Sequence, residues 1–167
     1  MTDFSSLTGK NNYFEDFEVG AVIKHHRGKT MTVLENVLIT NMVMNTAQGH
    51  FNEHMMASTP FGMSPEPFGK IVVYGGVNFS LVLGLACQDC CENALQELGL
   101  DNIRLTKPVV HGDTLYAYSE VLEKSDADQA DAGIVVFRHY GYNQNDEQVA
   151  QIDRRVLLKR RPTQGPS

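Results

Sequence analysis

The 167-residue chain is 42% apolar and 20% charged, which suits one compact domain with a core of its own. A net charge of -6 argues against a polyanionic partner such as nucleic acid. No stretch approaches the roughly 18 uninterrupted apolar residues of a membrane span, and the opening M-T-D-F-S-S-L-T-G-K lacks a secretion signal's basic start and apolar run, so the expected location is cytoplasmic.

Residues 1–12 are polar and read as a flexible lead-in, residues 13–160 as the domain, and residues 161–167 as a flexible tail. Short strands are expected at 22–24 and 27–31, with His25 and His26 interrupting the pattern. Thr32 and Glu35 have capping-box spacing, so a helix starts there. Leu34, Val37, Leu38 and Met42 give it one apolar face up to about Met44. Residues 45–69 lose all periodicity, and Pro60, Pro65 and Pro67 exclude a long helix. Residues 76–98 read as the longest helix, apolar on nearly every side at first, with Gly84 and Ala86 small enough for close approach to a sheet and Gly99 as its stop. Strands follow at 103–105, 114–124, 134–142 and 149–159. In the first long strand Leu115, Ala117, Ser119 and Val121 share one face, and Tyr116, Tyr118 and Leu122 take the other. Both faces are partly apolar, so one is expected to meet the helix and the other a second subunit. One apolar helix wrapped by an antiparallel sheet is an α+β arrangement.

Cys87, Cys90 and Cys91 form C-x-x-C-C inside the long helical run, with no second cysteine pair elsewhere. They read as small buried thiols, and no metal is expected. The chemistry concentrates instead in N-T-A-Q-G-H-F-N-E-H, which brings Asn45, His50, Asn52, Glu53 and His54 together between a helix and a proline-rich loop. Two histidines and a carboxylate can supply acid, base and orienting groups near neutral pH. His50 and His54 have the spacing of helical zinc ligands, but Glu53 precedes the second histidine where the zincin motif has glutamate after the first. Tyr74-Gly75-Gly76 opens the long helix, where free amides can hold an oxygen as it becomes anionic.

Four segments in order resemble the MaoC-like dehydratases, which include the R-specific enoyl-CoA hydratases. They are Y-F-E-D-F-E-V-G at 13–20, F-G-K-I-V-V-Y-G-G at 68–76, K-P-V-V-H-G-D-T-L at 107–115 and N-Q-N-D-E-Q-V at 143–149. The resemblance implies a single hot-dog domain, a long central helix wrapped by an antiparallel sheet. It implies a hydratase or dehydratase acting across the C2–C3 double bond of an enoyl-CoA, with coenzyme A as part of the substrate and no other cofactor. A homodimer or higher even oligomer is expected, since the open sheet face and edge invite association.

The family's G-D-x-N-P-x-H fits in two registers. Without a gap, Asn45 takes the Asp position and His50 the His position, with Met44, Ala47 and Gln48 replacing Gly, Asn and Pro, and Asn52 where many members carry an acid. With a one-residue deletion, His50, Asn52 and His54 take the Asp, Asn and His positions. The gapless register is preferred because it keeps the Asp-to-His spacing. It implies Asn45 and His50 as the catalytic pair, Asn52, Glu53 and His54 in support, and Gly75 and Gly76 holding the thioester oxygen. Two alternatives stay open: a hot-dog thioesterase using Glu53 or Glu92, and an acyl-thioester-binding subunit that has lost the acid.

Overall fold

The computed structural model describes residues 12–162. Tyr13 leads into a short 3-10 turn, Phe14–Asp16, and the chain then enters β1 (Val22–Thr30). The register of β1 against its neighbour shifts between Lys24 and Gly28, so the His25-His26 interruption is a bulge within one strand and not a break between two. At this bulge His25 is the strand's single buried residue.

α1 (Val33–Met42) begins at the expected capping box, with the Thr32 hydroxyl accepting from the Glu35 amide. Its orientation is the reverse of the expected one. Leu34, Leu38 and Met42 are 75%, 59% and 70% exposed, and the helix buries Asn36 and Thr40 instead. The next segment is not structureless: it holds a 3-10 turn, Gln48–His50, and a short helix, α2 (Glu53–Ser58).

The long helix α3 spans Gly75–Cys90, and the chain then enters β2 (Ala94–Leu105). A single helix over 77–98 is therefore overturned, and Gly99 lies in a strand, not at a helix stop. E-N-A-L-Q-E-L has good helix formers, but pairing with β5 overrides that preference, starting with the Lys159 amide donating to the Asn93 carbonyl. β3 (Thr114–Asp126), β4 (Ala132–Tyr142) and β5 (Gln148–Lys159) complete an antiparallel sheet of order β1-β3-β4-β5-β2.

α3 packs against all five strands. Val82 and Leu85 pack in one cluster with Leu115 and Ala117 of β3 and Val149 and Ile152 of β5. Leu115, Ala117, Ser119 and Val121 do share the buried face of β3. Gly84 is exposed with open space beside it; the close approach is made by Gly141, where a Cβ would collide with Val82. On the far face Tyr118 stacks on Tyr140 and Tyr142, with ring centroids 4.6 and 5.3 Å away. Cys90 and Cys91 are buried and Cys87 half-buried, and burial raises the thiol pKa of Cys90 and Cys91 well above the usual range.

Most of the lead-in and tail lies outside the described residues. Asn12 and Arg161 belong to the fold: the Asn12 side chain donates to the Gln88 carbonyl at 2.7 Å, and Arg161 pairs with Asp16. Among the described residues no helix is long and apolar enough to cross a membrane.

Candidate active site

The strand-like segment before α3 and the 3-10 turn at His50 are stitched together by one residue, Asn36. Its side-chain amide donates to the His50 carbonyl at 2.9 Å and to the Val72 carbonyl at 3.4 Å, and its oxygen accepts from the Tyr74 amide at 2.9 Å. The Val72 amide donates to the Gly49 carbonyl. Asn36 itself is fully buried, and an unmet polar group there is costly. The turn thereby lies against the start of α3.

His50 Nδ1 is 2.9 Å from the Val72 carbonyl. A carbonyl only accepts, so Nδ1 carries the proton and a neutral ring presents Nε2 as a base. The ring stands edge-on to Tyr74, with centroids 5.6 Å apart, and to Phe61 at 6.3 Å. Gly49 makes room for this arrangement, because a Cβ there would occupy the Phe61 ring.

Asn45 is half-buried, and its Oδ1 accepts from the Ala47 amide at 2.9 Å, which leaves the Nδ2 end for another acceptor. Met44 before it has φ 58°, the left-handed conformation that glycine favours. The other candidates are spread outward. Asn52 caps α2, its oxygen accepting from the Met55 amide at 3.0 Å and its amide donating to Gln48. Glu53 and His54 are exposed on α2, and Glu92 is exposed beyond α3.

No side chain caps α3 at Tyr74, so its first amides, at Gly75 and Gly76, remain for an incoming oxygen. Beside them runs a groove of about 290 Å³ walled by Met31, Ile39, Val77 and Leu81, with the Lys29–Glu35 ion pair at its rim. A larger concavity of about 780 Å³ lies over the β1 bulge and the Tyr116–Tyr118–Tyr142 surface. Neither His50 nor the α3 start lines it, so size does not decide which hollow serves the chemistry. Asn36 is the residue that sequence reasoning missed. Its signal was a second polar side chain, beside the capping Glu35, in a helix otherwise apolar at 33–39.

A helix start facing a histidine turn on a five-stranded antiparallel sheet defines a hot-dog protein of the MaoC-like class. The pattern that defines mesaconyl-CoA hydratases matches residues 3–160, and the chain belongs to that family. It is 32% identical to the mesaconyl-CoA hydratase of Haloarcula marismortui, across 96% of this chain and 45% of that protein. It is 37% identical to the β-methylmalyl-CoA dehydratase of Chloroflexus aurantiacus over 116 residues, 70% of this chain and 31% of that one. A solved MaoC domain dehydratase from Chloroflexus aurantiacus superposes with a TM-score of 0.80 at 31% identity, over 92% of this chain and 46% of that chain. The R-hydratase of Pseudomonas aeruginosa shares the fold, with a TM-score of 0.71 at 18% identity. The chain thus spans about half the length of the curated relatives it matches, or less.

Proposed function

We propose that this chain catalyses the reversible addition of water across the C2–C3 double bond of a short enoyl-CoA of the mesaconyl kind, with His50 as the acid–base group. The observation that carries the reading is the Nδ1–H bond from His50 to the Val72 carbonyl. It leaves Nε2 as the proton-accepting nitrogen of a turn that Asn36 ties to the start of α3, whose first amides are uncapped. Nε2 takes a proton from water as the water oxygen bonds to C3. The electron pair of the double bond moves toward the thioester oxygen, held by the Gly75 and Gly76 amides, and the imidazolium returns the proton to C2. Asn45 orients the water or substrate through Nδ2 but cannot accept its proton. Met44, left-handed where the family pattern has glycine, supports the gapless register. Capping of α2 by Asn52 and the exposure of His54 argue against the shifted one.

The active assembly is a pair of these domains, formed by a second copy of the chain. The relatives run to about twice this length, room for a second such domain. Two apolar surfaces fit a mate: the exposed α1 stripe of Leu34, Leu38 and Met42, and the edge strand β2, with Leu95, Ile103 and Leu105 exposed. Leu105 packs where a Gly75 Cβ would stand, so the β2 edge adjoins the thioester site.

Incubating the chain with mesaconyl-CoA and crotonyl-CoA tests the reading. Hydration with coenzyme A retained is expected. Release of free coenzyme A, or binding without turnover, overturns it in favour of a thioesterase or a binding subunit. Light scattering that shows a monomer at micromolar concentration overturns the pair.

A further inference from the structure

A second polar cluster, unrelated to the thioester site, lies in the core under the far end of α3. His25 from the β1 bulge, Cys90 from the last turn of α3 and His139 from β4 are all buried, and their ligand-capable atoms lie within 4.8 Å of one another. Ser119 of β3 stands among them, its hydroxyl 2.7 Å from His25 Nε2 and 2.6 Å from His139 Nδ1. On the outer side His25 Nδ1 is 2.6 Å from an Asp89 carboxylate oxygen. We propose that His25, Cys90 and His139, with Ser119 beside them, bind a divalent metal ion of zinc's size and softness.

Four observations carry this. The Asp89 carboxylate fixes the proton of His25 on Nδ1 and aims a bare Nε2 inward, the carboxylate–histidine arrangement that orients metal ligands. The hydrogen bonds leave one atom over: His139 Nε2 is buried without a partner, although His139 is fully enclosed. The Ser119 hydroxyl, 2.7 Å from His25 Nε2 and 2.6 Å from His139 Nδ1, gathers one nitrogen of each ring around a common point. Two imidazole nitrogens, a thiol and a hydroxyl make a donor set suited to zinc, which takes nitrogen at about 2.0–2.1 Å and sulfur at about 2.3 Å.

The charges also balance. Binding releases the Cys90 thiol proton to solvent. The doubly positive ion then faces one thiolate and, through His25, the Asp89 carboxylate. The site lies at the C-terminal end of α3, where the helix dipole favours a cation. Arg154, a positive charge that acts on His139, is paired with Glu97 at 3.0 Å. His25 lines the 780 Å³ concavity, which offers the ion a way in. With every protein donor buried, the role is structural: the ion ties the bulge, the sheet centre and the helix end together. The same burial excludes a hydrolytic reading of the Asp89–His25–Ser119 row, since no ester can reach Ser119.

The test is cobalt(II) titration of the untagged, chelator-treated chain, followed by absorbance. Expected are one equivalent bound, intense visible bands of a tetrahedral ion, a thiolate-to-cobalt charge-transfer band, and loss of all of these on adding zinc. The charge-transfer band should vanish in Cys90→Ser. It should survive in the double variant Cys87→Ser/Cys91→Ser, whose remaining thiol is Cys90. That second arm decides the matter even if Cys90→Ser fails to fold. Weak octahedral spectra alone, no binding, or a band lost in the double variant would overturn the proposal.

Discussion

His50 and His139 each hold one ring nitrogen in a hydrogen bond under 3 Å, and they belong to opposite chemistries. His50 sits half-buried in a turn tied to the helix start through Asn36, bonded to a main-chain carbonyl, with its other nitrogen left free of the bond. His139 sits at zero exposure in the centre of the sheet, bonded to a serine, with its other nitrogen facing no donor. A backbone carbonyl fixes a tautomer without adding a charge, so a base that still meets water can cycle its proton. Full enclosure removes that option, because a buried imidazolium has no solvent to stabilise it. Access to water, more than residue type, suits one histidine to the proposed proton transfer and the other to a fixed network.

The largest effect expected from this contrast is at the exposed end. His50→Ala should lower enoyl-CoA hydration by about a hundredfold or more, the scale of lost general acid–base catalysis. Steady-state rates at saturating substrate measure it, and wild-type turnover in the variant would break the assignment. Asn36 should come next. Asn36→Ala leaves the His50 carbonyl and the Tyr74 amide short of a partner in the core, at a cost of about 1–3 kcal/mol per group. It also loosens the turn that positions His50, so kcat should fall roughly tenfold with KM changing less. A fall in thermal stability with unchanged kcat would make Asn36 a structural residue only.

The enclosed histidine should show itself in the pH dependence of stability. Burial, reinforced by the charges of Arg154 and His25, holds the folded pKa of His139 near 3, against about 6.5 for a free histidine. Below about pH 6.5 the unfolded chain takes up a proton there that the folded chain refuses, so stability declines from that pH toward about 3. Asp153 adds a later loss. Its hydrogen bond with Arg138 lowers its pKa, so its contribution is present above the ordinary aspartate range and disappears as pH falls through the folded value. Urea midpoints from pH 7.5 to pH 4 read this directly, and a flat profile down to pH 5 would contradict the His139 account.

The fold was legible where local chemistry and tertiary structure agree. The Thr32–Glu35 box and the alternation in 115–121 depend on neighbours a few residues away, and each formed where its pattern put it. Two readings failed because the deciding partner lies far off in the chain. Residues 94–98 are helix formers by composition, yet β5, some 60 residues later, recruits them into the sheet. The apolar stripe of α1 reads as a buried face, yet the helix turns Asn36 inward to meet Val72 and Tyr74. The His25–Cys90–His139 cluster was invisible for the same reason: its members come from two strands and a helix spread over 115 positions. The cysteine spacing pointed only to a missing second cysteine pair, when the nearby donors are histidines.

The smallest expected effect discriminates best between the two registers of the catalytic motif. In the shifted register His54 is the acid–base residue, and its loss should be as damaging as that of His50. The structure puts His54 on the exposed side of α2, its carbonyl accepting from Ser58. Surface substitutions of that kind change stability by no more than about 0.5 kcal/mol. His54→Ala should therefore leave hydration within about twofold of wild type, a difference well under 1 kcal/mol in the barrier. Measured beside His50→Ala on the same enoyl-CoA, a hundredfold loss in one and none in the other places the proton on the histidine tied to Val72. A hundredfold loss at His54 instead would move the catalytic centre onto α2 and leave the Nδ1 bond of His50 as scaffolding.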